Sequence, residues 1–323
     1  MNKSTKFYGI DISKDVFDVT DQKEVHYQFT NDIKGFKKFK KILDENSHCV
    51  MEATGYYHYK LAYFLQENEV LVSVENPLSV KRFIQMKLSK IKTDKSDSKM
   101  ICKYAESVDL RIWEGESKDQ QECLQMTRSL SIYKKQSTML KNKIHGEEVL
   151  GVPSKFVLRS LKRSLKHLQK EMKLIEEKLL ELVKKENQEL LTLLESIPGI
   201  GRKTSVMLLV LTDGFNRFQS ASELCSYAGL TPMIRSSGSS VNGRPRISKI
   251  GNQKLRNLLF LCSFNACKYN QACKSLYDRI VAKGKSKKLA LIAVCNKLLK
   301  QAFAIAKSRL PYDPTYRSTL SVN

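Results

Sequence analysis

The eight cysteines of this sequence include no Cys-x-x-Cys pair. That removes the usual zinc-ribbon and redox signatures. The tightest group, Cys262, Cys267 and Cys273, has spacings of five and six in an otherwise apolar helical stretch. Buried reduced thiols are the reading favoured over zinc ligands or disulfides. Histidine is scarce: His26, His48, His58, His145 and His167 are scattered and form no metal set. No apolar stretch is read as approaching the roughly 20 residues of a membrane span. The N-terminus runs into a strand without a secretory apolar core. A cytoplasmic protein with no membrane partner is expected. Acid is missing too. Between Leu224 and Tyr277 there is no Asp or Glu, while eight Lys and Arg occur.

That last absence belongs to a larger asymmetry. The chain carries a formal charge of +23, of which +16 falls between Leu191 and the end. A generic solvated surface mixes its signs. A long acid-free stretch instead suits a surface facing a polyanion, nucleic acid before membrane. With 323 residues, the chain is long enough for two domains with their own cores.

Against this basic background four acids are placed with purpose. Asp11 follows Phe7-Tyr8-Gly9-Ile10 and precedes Ile12, inside an expected first strand. Glu52 closes Cys49-Val50-Met51 and is followed by the turn formers Ala53-Thr54-Gly55. Asp94 and Asp97 are three apart where a helix begins, which puts them on one helical face. Carboxylates without His or Cys partners select hard cations such as Mg²⁺ or Mn²⁺. Two such ions about 3.5–4 Å apart can activate a nucleophile and stabilise a leaving oxygen in phosphodiester cleavage. Taken singly, each acid also reads as a surface residue or helix cap.

The first part of the chain alternates strand and helix signals. Strands are expected at 6–13, 16–20, 25–29, 48–52 and 70–75, and helices at 32–43, 56–66 and from Pro77. Such a mixed sheet flanked by helices is compatible with a ribonuclease-H-like fold and with other α/β folds. Residues 119–190 are rich in Lys, Glu, Leu and Gln. Leu161, Leu165, Leu168, Met172, Ile175, Leu179 and Leu182 recur at three and four, a coiled-coil seam. Two long helices broken near Gly146–Pro153 are expected, as a spacer, an oligomerisation element or a nucleic-acid clamp.

The third region opens on Ile197-Pro198-Gly199-Ile200-Gly201, ahead of a helix over 202–211. This is either a simple interhelical turn or the hairpin of a helix-hairpin-helix element, whose amides approach phosphate. Helices are also expected at 222–228 and 253–269. Between them the run from Arg235 to Arg246 is Gly/Ser-rich and basic, an exposed loop or hairpin. A serine there, flanked by Arg235, Arg244 and Arg246, has the surroundings of a phosphate-attacking nucleophile. By composition alone such a run is more often a linker. Arg235, Arg244, Arg246, Lys249, Asn252 and Arg256 are the expected nucleic-acid contacts.

Several of these segments, in order, resemble the DEDD transposases of insertion-sequence family one hundred and ten, which includes the Piv-type invertases. They are Tyr8–Asp11, Met51–Gly55, Lys92-Thr93-Asp94 with Asp97, Ile197–Gly201, Ala228–Pro232, Ser237-Gly238 and Ile247–Lys249 with Gly251-Asn252. The resemblance implies an α/β plus α protein. Its parts are a RuvC-like (ribonuclease-H-like) domain over 1–118, a coiled-coil arm over 119–190, and a mainly helical, serine-bearing transposase domain over 191–323. It implies that Asp11, Glu52, Asp94 and Asp97 bind Mg²⁺, and that the nucleophile is Ser237, with adjacent Ser236 as its rival. It implies a covalent phosphoserine intermediate, a guiding bridge RNA, donor and target double-stranded DNA, and homodimers that assemble into tetramers. The alternative function is a metal-dependent, junction-resolving nuclease without serine chemistry. A non-enzymatic binding protein is a third. The Lys-rich tail after Ala282 matches no motif of the family, and only backbone contacts are expected of it.

Overall fold

The computed structural model describes residues 5–53, 55–88, 93–237, 241–248 and 250–316. Thr54, Lys92, Gly238 and Lys249, which belong to the motifs above, lie outside the described residues. The chain forms two compact units, 1–116 and 117–323.

The first unit is built on a five-stranded sheet. Strands β1 (Lys6–Ile12), β2 (Val16–Asp21) and β3 (His26–Thr30) form an antiparallel meander, and β4 (Ser47–Glu52) and β5 (Leu71–Glu75) run parallel to β1. Their order across the sheet is β3-β2-β1-β4-β5, the ribonuclease-H-like arrangement. Because side chains alternate along a strand, Tyr8, Ile10 and Ile12 enter one core with Phe17, Phe36 and Phe39. Helices α1 (Ile33–Lys40) and α2 (His58–Glu67) contribute to that core. Phe7 and Val50 point to the other face, where α3 (Pro77–Met86) and α4 (Asp94–Ser107) supply Val80, Phe83, Ile101 and Tyr104.

The helix starts follow from local chemistry. Asp32 caps α1 through the Gly35 amide, and Asn76 caps α3 with Pro77 in its first turn. Helix α1 is shorter than the expected 32–43. Gly35 is pressed against the Thr30 carbonyl, which turns Phe36 and Phe39 inward and leaves Ile33 exposed.

The second unit begins with a helical hairpin, α5 (Lys118–Val149) and α6 (Lys155–Glu195), packed against each other as the seam predicts. The seam is buried only at its base. Leu179 and Leu182 are covered, whereas Leu161, Leu165 and Leu168 are half-buried. That base shares one core with α7 (Arg202–Thr212), α8 (Ala221–Tyr227), α9 (Gln253–Tyr269), α10 (Gln271–Ala282) and α11 (Lys287–Ser308). Gly199, at φ +104°, makes the turn into α7. A β-carbon there would stand 2.7 Å from that of Ala266 in α9, so only glycine fits. The basic run forms a two-stranded antiparallel hairpin, β6 (Pro232–Ser237) with β7 (Val241–Ile247), bulged between Met233 and Arg235.

One expectation is corrected. Helix α11 is long and apolar enough to cross a membrane by length and composition. The apolarity belongs to the core, because Val294, Cys295, Leu298, Leu299 and Ala302 are completely buried in it. All eight cysteines are free thiols, and burial pushes Cys273 and Cys295 up to about 12.

Candidate active site

The first unit brings its four acids to one region through two contacts, one helix-on-strand and one strand-to-strand. Gly9 and Asp11 share a face of β1, and α4 lies directly on Gly9. A β-carbon at Gly9 would come 2.2 Å from the Cys102 amide nitrogen and 2.3 Å from the Ser98 carbonyl oxygen. The helix is also tied to β2 by a 2.7 Å hydrogen bond between the Ser98 and Thr20 hydroxyls, both buried. Its N-terminal turn, which holds Asp94 and Asp97, is therefore set over the end of β1. Thr93 and Ser96 close that turn with a reciprocal capping box. On the other side, β4 pairs parallel with β1 up to Ile10 and Met51, so Glu52 ends beside Asp11.

Electrostatics registers the gathering. Asp11 is pushed up to about 6 from the ordinary carboxylate range, first by burial and then by Asp97, Asp94, Glu52 and Asp18. Asp94 and Asp97 sit in the first turn of α4, where the helix dipole favours negative charge. Among the described residues no three acids, histidines or cysteines converge closely enough to hold an ion by themselves. The donor set still fits a divalent cation. It is all carboxylate oxygen, and a cation would offset the like-charge repulsion that Asp11 carries.

Two further acids belong to this neighbourhood and are not singled out by the sequence motifs. Asp18 faces Asp11 across the β1–β2 register and is 3 % exposed. It accepts from Gln28 and pairs with His26 Nε2 at 2.7 Å. Glu75 faces Glu52 across β4–β5 and accepts from the Tyr104 hydroxyl at 3.0 Å. An Asp inside the apolar strand Val-Phe-Asp-Val-Thr is the available sequence signal for the first.

The second unit places Ser236 and Ser237 at the end of β6, opposite Asn242 and Val241. Arg235 pairs in register with Gly243, one residue before Arg244. Arg246 is exposed beside the base of the hairpin. Asn252 and Arg256 are engaged internally. Asn252 caps α9 through the Leu255 amide and donates to the Tyr227 hydroxyl at 3.0 Å, and Arg256 donates to the Ala228 carbonyl at 2.8 Å. Both brace the turn at Gly229.

Comparison with known proteins assigns the class. A family described as DEDD transposase matches residues 8–149, which contain the acidic site. A second, Transposase IS116/IS110/IS902 family, matches residues 191–278, which contain the hairpin. The chain belongs to the IS110/IS116/IS902 family of transposases. The transposase is 29% identical to the pilin gene-inverting protein of Moraxella lacunata over 325 residues, covering 96% of this chain and 98% of that one. It is 25% identical to the transposase for insertion sequence element IS1111A of Coxiella burnetii, covering 98% and 92%. Over 157 residues it is 32% identical to an insertion element IS110 protein of Streptomyces coelicolor, covering 49% and 38%. The transposase is thus a DNA-transposing enzyme that binds DNA, with an acidic domain that implies a divalent metal.

Proposed function

We propose that this transposase cuts and rejoins DNA through attack by Ser237, assisted by Mg²⁺ held by Asp11, Glu52, Asp94 and Asp97. The observation that carries the reading is the gathering of four carboxylates, with Glu52 ending beside Asp11 on paired strands and α4 packed on Gly9 so that its first turn brings Asp94 and Asp97 over them. Bound Mg²⁺ or Mn²⁺ supplies Lewis-acid stabilisation of a phosphodiester oxygen. Ser237 Oγ loses its proton and forms a bond to phosphorus, and the bond from phosphorus to the 3′ oxygen breaks. That oxygen takes a proton and leaves as a 3′-hydroxyl. The 3′-hydroxyl of the exchanged strand then attacks the phosphoserine phosphorus and gives up its proton. The bond from phosphorus to Ser237 Oγ breaks, and the serine regains a proton as the strand is resealed. Arg235, Arg244 and Arg246 hold the scissile phosphate.

The reading extends to organisation. Residues 1–118 form the metal-binding domain, 119–190 the arm, and 191–323 the serine-bearing domain. A bridge RNA supplies the choice of donor and target DNA, in homodimers that pair into tetramers. A charge of +23 and an acid-free stretch between Leu224 and Tyr277 support recognition through nucleic-acid backbones, with base pairing left to an RNA.

The test is strand exchange by Ser237→Ala and by Ser236→Ala, each with the other serine intact. Loss of exchange in the first and retention in the second is expected. Rejoining by both variants would leave metal-only cleavage as the chemistry. Sequencing RNA that copurifies with the enzyme tests guidance: one defined RNA supports it, and bulk cellular RNA contradicts it.

A further inference from the structure

The Lys-rich chain after Ala282, which carries no motif of the family, builds α11, and α11 has two faces. Ala290, Val294, Leu298 and Ala302 recur at four and are buried in the core. Leu289, Ile292, Ala293, Asn296, Lys297 and Lys300 recur at three and four on the other side and line a groove of ≈ 1320 Å³. The facing wall is the base of the β6–β7 hairpin, with Met233 and Arg246, which are paired in register. Leu230, Ile247 and Leu276 add to the apolar lining.

The composition of this groove is one-sided. Arg246, Lys288, Lys297 and Lys300 bring positive charge to it, and among the described residues its lining includes no Asp or Glu. The surface acids that pair with lysines elsewhere, as Glu176 does with Lys203, are missing here. Ser286 also lines the groove and caps α11, whose N-terminal amides favour an anion. A cationic rim above an apolar wall suits a polyanion that also offers apolar faces. A duplex hides its base faces in the stack, whereas an unpaired strand presents phosphates and bases together.

We propose that the groove between α11 and the base of the β6–β7 hairpin binds an unpaired nucleic-acid strand. Its phosphates lie on Lys288, Lys297 and Lys300, and its bases rest on Leu289, Ile292 and Met233. The inference rests on the enzyme being a DNA transposase and does not need Ser237 as nucleophile. Ser237→Ala binds such a strand as the unaltered chain does, so the two readings fail separately.

The experiment is fluorescence anisotropy with the full chain and labelled DNA or RNA strands of about a dozen nucleotides, comparable to known single-strand site sizes. The matching duplex is measured alongside. The variant K288Q/K297Q/K300Q is compared with K268Q/K274Q/K283Q, which removes equal charge outside the groove. The groove variant binds a single strand at least about tenfold more weakly, with its salt slope reduced by about 2. The control variant and the duplex change less than about threefold. Loss on DNA alone, on RNA alone or on both supports the groove and identifies its source. Equal loss in the two variants, equal loss for the duplex, or no loss overturns it. Photo-crosslinking of an iodouracil-bearing strand to the unaltered chain provides a check that needs no variant. Adducts on peptides of α11 or the hairpin base are expected, and adducts confined to other segments overturn the proposal.

Discussion

Gly9 and Cys102 approach so closely that a β-carbon on Gly9 would lie 2.2 Å from the Cys102 amide nitrogen. The neighbour is helix backbone, which cannot rotate away as a side chain would. Gly9→Ala therefore lifts α4 from β1 and moves Asp94 and Asp97 from Asp11. A loss of about 2–3 kcal/mol is expected, typical of overpacking. Urea unfolding of the variant measures it, and a Mg²⁺ titration followed by thermal melting reports the loosened site.

Asp11 supplies a second expectation, in which removing a candidate site carboxylate stabilises the fold. Its folded pKa of about 6 lies above the ordinary value of 3.8, so the folded chain binds this proton more tightly than the unfolded chain does. The resulting stability is fully present below pH 3.8 and is lost as pH rises through about 6. At pH 7.5 without metal, Asp11→Asn is expected to stabilise the protein by on the order of 1–2 kcal/mol, less than the full shift because the carboxyl is partly solvated. The same variant loses most of the melting-temperature increase that Mg²⁺ gives the unaltered enzyme. Calorimetry with and without Mg²⁺ reads both effects.

His48 sets a pH dependence in the first unit. Its ring is buried, with Nε2 donating to the Ser73 hydroxyl at 2.8 Å while that hydroxyl donates to the Arg111 carbonyl. Burial holds its pKa below 6.5. The unfolded chain then takes up the proton first, so this contribution is intact above pH 6.5 and is lost as pH falls through the lower folded value. His48→Gln flattens the fall in stability between pH 7 and 5, measured by urea midpoints at each pH. An unchanged slope would contradict the assignment.

Arg256 distinguishes a brace from a phosphate contact. Its guanidinium holds the Ala228 carbonyl, and a β-carbon at Gly229 would meet it at 2.5 Å. Arg256→Ala is expected to cost about 1–3 kcal/mol of stability through a lost charged hydrogen bond, with the salt slope of DNA binding unchanged. A slope reduced by about 1 at unchanged stability would make it a phosphate contact.

What could be read beforehand depended on how local the signal was. Asp94 and Asp97 announce themselves through a three-residue spacing within one helical turn, whereas the Thr93–Ser96 capping box that fixes the turn emerges from the structure. Asp11 and Glu52 stand at the ends of apolar strands, so their placement follows from the sheet. Asp18 gains its meaning only from the register that sets it opposite Asp11, a relation between strands that a linear pattern does not carry. Helix α11 hides a cationic groove face behind a core-forming composition. Asn252 and Arg256 have the chemistry of nucleic-acid contacts, but the Gly229 turn takes up their hydrogen bonds. The serine is the part that residue chemistry alone leaves undecided, because Ser-Ser-Gly-Ser-Ser is also the composition of a linker.

The proposed chemistry requires both Ser237 and the metal-binding carboxylates, and one measurement addresses that requirement. The enzyme is incubated with cognate DNA and Mg²⁺, denatured and digested, and the peptides that retain nucleotide are sequenced by mass spectrometry. A phosphodiester-linked nucleotide on Ser237, absent after chelation and absent in Asp11→Asn, is the result expected. Intact strand exchange with no adduct, or with the adduct on Ser236, would contradict it.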